Sequence, residues 1–261
     1  MENGIFDFSV LPSFGHDYLS TYYMKSPTQD EHLVLEFLAE EFPKIGSTKK
    51  MLELGCGPTL HHIISASQYV EEIYLADYLE ENLIIINNWQ KNDSTAHDWT
   101  RFIELALKFE TKPHSSADIQ RRALLMKQKL KGIMKCDLQK DRCMDKEEKF
   151  PLVTSFYAAE EVGISQIEWK KVMARISNKI EIGGNLIMAS LRDCEEYSVI
   201  SPNGIHSKLP CAKINESDFN LLLPKLGFEK NGMIVRGMKI HGQENEGVHG
   251  IVLVSAKKIT N

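Results

Sequence analysis

Short apolar runs alternate along the chain with longer stretches in which apolar residues recur every three or four positions. The short runs predict strands over 50–54, 72–77, 132–136, 151–156 and 184–189, with two more over 231–240 and 248–256. The longer stretches predict helices over 29–42, 59–68, 79–90, 116–130, 165–180 and 216–226. Strands taking turns with helices are the signature of a mostly parallel sheet covered on both faces. Gly183-Gly184 reads as the stop between the helix at 165–180 and the fifth strand. The last two strands read as a hairpin or reversed pair through Gly242–Gly247. Segment 91–131 is long for a link between strands two and three, since such links run about 2–6 residues. It is polar apart from Trp99 and Phe102, and is expected to be an insertion with a further helix, either functional or surface decoration.

The most informative stretch is Leu52-Glu53-Leu54-Gly55-Cys56-Gly57-Pro58-Thr59. An apolar run enters a Gly-x-Gly turn that opens a helix. Glycines there let the backbone turn sharply and approach a ligand without a Cβ in the way. The helix start behind them offers unpaired N–H groups. Twenty residues after Gly57, the second apolar run ends in Asp77, an acid able to accept hydrogen bonds from both hydroxyls of a ribose. A dinucleotide turn has a third glycine, and here that position is Leu60. The acid-x-Gly-x-Gly pattern, with Glu53 as its acid, resembles instead the cofactor turn of class I S-adenosylmethionine (SAM) methyltransferases. A third strand ending in Cys136-Asp137 strengthens the resemblance.

Composition narrows the function. The chain has 261 residues, enough for one α/β domain with embellishments, and its 43% hydrophobic and 26% charged content is ordinary for a globular protein. A net charge of −5 gives no electrostatic case for nucleic acid, and the basic cluster from Arg121-Arg122 to Lys135 reads as a solvated helix face. Five cysteines, Cys56, Cys136, Cys143, Cys194 and Cys211, show no C-x-x-C spacing, which argues against a disulfide framework and a zinc site. Reduced thiols, no signal peptide and no apolar run near the ~20 residues of a membrane span lead to the expectation of a cytoplasmic protein without membrane partner or metal.

Further motifs stand in order along the chain: Asp17-Tyr18-Leu19-Ser20-Thr21-Tyr22-Tyr23, Gly55 to Thr59, Asp77-Tyr78 with Asn82-Leu83, Asp98-Trp99, Lys135-Cys136-Asp137 and Leu209-Pro210. From about residue 14 to 230 the chain thereby resembles the family of nicotinamide, phenylethanolamine and indolethylamine (thioether) N-methyltransferases. The resemblance implies a single domain over 1–261. Its class I Rossmann-like fold is α/β, with a seven-stranded, mostly parallel sheet in the order 3-2-1-4-5-7-6 and strand 7 antiparallel. An N-terminal helical lid over 1–45 would cover the site. Gly55, Gly57 and Thr59 would wrap the methionine part of SAM, Asp77 would bind the ribose and Asn82 would support it. Asp137 would hold the adenine edge beside Leu138, and Ser155 would contact the amino-acid moiety. Tyr18 and Tyr23 would close over the site. Independently of the family, phenol faces suit a sulfonium cation. His61 stands where relatives often carry a tyrosine.

For the acceptor, the phenylethanolamine branch carries an acid near Glu160 and another at Asp193, both facing the amine; these are the expected catalytic residues. Tyr197 is expected to wall the substrate pocket. Lys208 is either a surface lysine or a clamp for a substrate carboxylate, and Ala189 stands where the nicotinamide branch has an Asp. The expected function is transfer of a methyl group from SAM to the nitrogen of a small amine or N-heterocycle by a monomer. The alternatives are an S- or O-methyltransferase of the same fold, a non-catalytic SAM-binding protein and a NAD-linked reductase.

Overall fold

Side chains alternate faces along each strand and divide the interior into two layers. In β1 (Thr48–Leu54), Met51 packs in one layer and Leu52 and Leu54 in the other. In β5 (Ile180–Leu191), Ile187, Ala189 and Leu191 join the first layer, Leu186 and Met188 the second. The computed structural model describes residues 14–110, 114–200, 206–243 and 247–261. Phe14–Tyr18 form α1, which runs straight into a five-residue π turn, Leu19–Tyr23. Then come α2 (Gln29–Ile45), β1, α3 (Ile63–Ala66), β2 (Val70–Asp77) and α4 (Glu80–Gln90). The insertion holds two helices, α5 (Thr100–Phe109) and α6 (Ser116–Lys129), ahead of β3 (Leu130–Lys135) and β4 (Phe150–Phe156). Next are α7 (Ala158–Val162), α8 (Gln166–Asn178), β5, β6 (Glu196–Ile200), β7 (His206–Pro210), α9 (Glu216–Leu222), β8 (Ile234–Lys239) and β9 (Gly250–Lys257).

The main sheet has seven strands in the order β3-β2-β1-β4-β5-β9-β8. The first five run parallel, and β9 lies antiparallel to both β5 and β8. This is the expected order, 3-2-1-4-5-7-6 with its seventh strand reversed. Residues from α2 to α6 (Phe37, Phe42, Ile63, Ile86, Phe102, Met126) cover the first layer. Trp169 of α8 and Phe219 of α9, edge to face at 5.1 Å, cover the second. Strand order reverses between β1 and β4, so the connections leave in opposite directions and a crevice opens beyond their carboxyl ends.

Several expectations shift. Gly183-Gly184 do not precede β5 but lie within it: the register jumps from Phe150↔Ile180 to Leu152↔Asn185, so the glycines sit in an irregularity of a strand that starts at Ile180. The helix expected over 59–68 shrinks to Ile63–Ala66, because residues 58–67 are buried throughout and packing on all sides, not an amphipathic stripe, shapes them. The hairpin of β6 and β7 was not expected. Arg122 is not solvated: its two Nη atoms lie 2.8 and 2.7 Å from the oxygens of Glu110, and Nη1 also donates to Ile64 O at 3.1 Å. All five cysteines are free and buried, and no described helix is long and apolar enough to cross a membrane.

Candidate active site

The glycine turn and Asp77 are bound to each other. Gly55 and Gly57 both hold positive φ (68° and 59°), the region that L side chains rarely adopt. A Cβ on Gly55 would lie 2.3 Å from Ala158 Cβ, so the turn approaches the start of α7 as closely as glycine allows. A Cβ on Gly57 would meet nothing within 4 Å; it faces open space. The Gly57 N–H donates to Asp77 Oδ2 at 2.8 Å, and Leu79 N–H and Asn82 Nδ2 donate to Oδ1 at 2.9 Å each. Burial raises the Asp77 carboxyl above its ordinary value, and these donors and Lys135 oppose the rise. Asn82 keeps its own buried Oδ1 without a partner among the described residues.

The cleft beyond this turn measures roughly 940 Å³ out to its open mouth. Gly55, Gly57, Thr59, Asp77, Asn82 and Leu138 line it, and Tyr18, Tyr23 and Tyr197 close one side. Tyr18 packs 5.4 Å from Tyr23, and Tyr23 packs on Trp99, Phe102 and His61, so the insertion backs the tyrosines rather than decorating the surface. Asp98 caps the start of α5 through the Thr100 N–H at 2.9 Å.

Other expected residues lie apart from the cleft. Ser155 is fully buried and donates to Leu54 O at 2.9 Å, bracing β4 against β1. Asp137 accepts from the Gln139 N–H at 3.0 Å and pairs with Lys140 at 3.0 Å; its neighbours Cys136 and Leu138 line the cleft. Glu160 is fully buried and accepts the Leu191 N–H at 2.6 Å, tying α7 to the end of β5. Burial brings its carboxyl up to about 7, against the pull of that N–H. Asp193 pairs with Arg192 at 2.9 Å and accepts from Asn215 Nδ2 at 3.1 Å, outside the cavity walls. Lys208 is exposed and pairs with Glu196. His61 packs among Tyr23, Trp99 and Phe102, behind the wall.

From the sequence Glu161 reads as a solvated charge, and the structure places it in a cavity wall instead. It lines the cofactor-side cleft and a second cavity of roughly 630 Å³ that shares Tyr18, Tyr23, Tyr157, Glu161 and Tyr197 with it. Glu161 is hydrogen-bonded to Tyr197, and burial, with Glu160 nearby, pushes its carboxyl well up. Tyr157, between β4 and α7, caps the helix in the left-handed region (φ 60°), and the chain turns there from strand to the helix that carries both acids. The second cavity also presents Asp30 and Glu31 from the first turn of α2, together with Tyr22, Ser198 and Gln243. Among the described residues lining it there is no Lys, Arg or His. From the sequence, these acids read only as part of the helix expected over 29–42. Among the described residues no group of three or more His, Cys, Asp or Glu could hold a metal ion.

The sequence pattern of the NNMT/PNMT/TEMT family matches residues 12–259. The chain belongs to this family. It is 24% identical to indolethylamine N-methyltransferase of Mus musculus over 192 residues, which cover 70% of this chain and 71% of the relative. It is 21% identical to phenylethanolamine N-methyltransferase of Macaca mulatta over 218 residues, covering 82% and 74%. The solved DhpI-SAH complex superimposes with a TM-score of 0.58 over 97% of this chain and 95% of that one at 12% identity, which establishes the class I fold.

This family member is a SAM-dependent methyltransferase. The cleft fits the cofactor on its own terms. Asp77 Oδ2 keeps a lone pair beyond its bond to Gly57, which a ribose hydroxyl would meet, and Asn82 Nδ2 holds the other oxygen in place. Leu138 and Cys136 give an apolar slot for a base, and the tyrosine faces suit a sulfonium.

Proposed function

We propose that this methyltransferase acts on the nitrogen of a small amine. The observation that carries the reading is the second cavity. It shares a wall with the cofactor cleft, and tyrosines and the carboxyl groups of Asp30, Glu31 and Glu161 line it with no basic side chain among the described lining residues. Such a surface attracts a cationic amine through phenol faces and acids together. A thiol, a phenol or a neutral N-heterocycle gains little from it.

Bound in the cleft, SAM supplies a methyl group on an electrophilic sulfonium. The chain has to align a nitrogen lone pair with it and keep water out. An amine reaches the site protonated and must lose that proton before attack. Glu161, at the junction of the two cavities and hydrogen-bonded to Tyr197, is placed to take it: burial raises its carboxyl, and an ammonium bound beside it favours the ionised form that accepts the proton. The acid role read for Glu160 passes to its neighbour, since Glu160 is committed to the Leu191 N–H. Asp193 and Lys208 take no part in this reading, which also removes the support for a zwitterionic acceptor.

The test is transfer from methyl-labelled SAM to a panel of amines, N-heterocycles, amino acids, thiols and phenols, with products located by fragmentation. Label on an amine nitrogen supports the reading. Label on sulfur, on oxygen or on neutral heterocycles alone overturns it.

A further inference from the structure

The acids of the acceptor cavity stand at two levels. Glu161 lines both cavities and therefore sits at the junction with the methyl donor; Asp30 and Glu31 line only the second. Resting on the amine reading above, we propose that the acceptor is a diamine, with one amino group presented at Glu161 and the other held as an ammonium by Asp30.

Asp30 is held by neutral donors alone among the described residues. Its Oδ1 accepts from Thr28 Oγ1 at 2.5 Å and from Gln243 Nε2 at 2.7 Å, and among the described residues its Oδ2 accepts only a long bond from Tyr157 OH at 3.4 Å. The first oxygen is fixed in place and the second is left with capacity for a strong donor. Glu31 does not compete for the charge. Its carboxyl accepts the Thr28 N–H at 2.7 Å, and burial raises it to about 8, so it is largely protonated at neutral pH. No described basic side chain forms an ion pair with Asp30, Glu31 or Glu161. A half-buried carboxylate in an aromatic cavity is costly without a counter-charge.

Position at the start of α2 accounts for part of this, since an acid there complements the helix dipole. It does not account for tyrosines ringing the same space with no base among them. A monoamine at Glu161 leaves Asp30 unmatched. A zwitterion turns its own carboxylate toward Asp30 and is repelled. A second ammonium matches it, with an apolar spacer lying along Tyr18, Tyr22, Leu191 and Val248. The transfer itself balances as for any amine: the N–C bond forms, the C–S bond breaks with its electron pair going to sulfur, and the proton lost by the reacting nitrogen goes to Glu161.

The experiment compares α,ω-diaminoalkanes of increasing chain length with the matching monoalkylamines, in the wild type and in Asp30→Asn, using labelled SAM. At its best spacer length a diamine should exceed the matching monoamine in kcat/KM by about tenfold or more. Asp30→Asn, which keeps the cap but drops the charge, should bring that ratio toward one, mainly through the KM of the diamine. Equal wild-type values for diamines and monoamines would overturn the proposal, as would an unchanged ratio in the variant. Transfer to neither class would instead overturn the amine reading beneath it.

Discussion

His62 Nδ1 lies 2.8 Å from Glu53 Oε1, both side chains buried at the end of β1 beside the glycine turn. Burial drives the imidazole down to about 3 and the carboxyl well above its ordinary value, since the same low-dielectric surroundings disfavour the charged form of each. The second ring nitrogen, Nε2, is buried without a partner among the described residues, while the ring itself lines the cofactor cleft. The pair thus stands as a wall of the cleft directly behind the glycine turn.

His62→Phe combined with Glu53→Leu preserves the stacking on Phe156, now 3.8 Å between centroids, and leaves no orphaned carboxyl. SAM affinity should fall about three- to tenfold, or about 0.7–1.4 kcal/mol. Calorimetry reads this directly, and an unchanged Kd would show that the pair only supports the turn.

Asp77 both closes the turn and faces the cleft. Asp77→Ala should weaken SAM binding by one to two orders of magnitude, about 1.4–2.8 kcal/mol. Unchanged calorimetric affinity would refute the ribose assignment.

Glu160 and Glu161 should separate cleanly. Glu161→Gln should lower kcat by about a hundredfold, the scale of a lost general base, while SAM affinity stays near the wild type. Glu160→Ala should instead lose about 1–3 kcal/mol of stability, because the buried Leu191 N–H loses its acceptor. Denaturant titration and single-turnover transfer distinguish them; the opposite pattern would restore the catalytic role to Glu160.

Stability should fall toward both acid and alkali, for different residues. The Glu31 carboxyl is raised from 4.5 to about 8, so the folded chain holds a proton that the unfolded chain releases between those values. Its contribution is complete below about 4.5 and is lost as pH rises through about 8. His62 is lowered from 6.5 to about 3, so the unfolded chain takes up a proton first, and stability is lost as pH falls from 6.5 through 3. Glu31→Gln should flatten the alkaline limb by up to a few kcal/mol in chemical denaturation and leave the acid limb alone. A slope unchanged above pH 6 would contradict the assignment.

The turn, Asp77, Asn82 and the strand order were legible because they rest on local rules: glycines at positive φ, an acid at a strand end and apolar runs of strand length. The hairpin of β6 and β7 carries Tyr197 into both cavities, and its one signal was Asn203-Gly204 between two short alternating runs. The choice between Glu160 and Glu161 was not legible. The two acids are adjacent on α7, and a shift of one residue exchanges a buried tie for a cavity wall. Asp30 and Glu31 were hidden in plain helix-start chemistry, since nothing local says that α2 begins beside the tyrosines of the π turn.

That π turn has a consequence for how such enzymes diverge. Its wide winding sets Tyr18 and Tyr23, five positions apart, ring against ring, while Glu31 holds Tyr23 from α2. Removing one residue between them returns the winding to an α turn, in which positions four apart share a face just as positions five apart do in the π turn. The wide turn therefore absorbs a single-codon insertion or deletion between the two tyrosines, so a lineage can change the length of this segment without losing the roof over the methyl donor or disturbing a strand of the sheet.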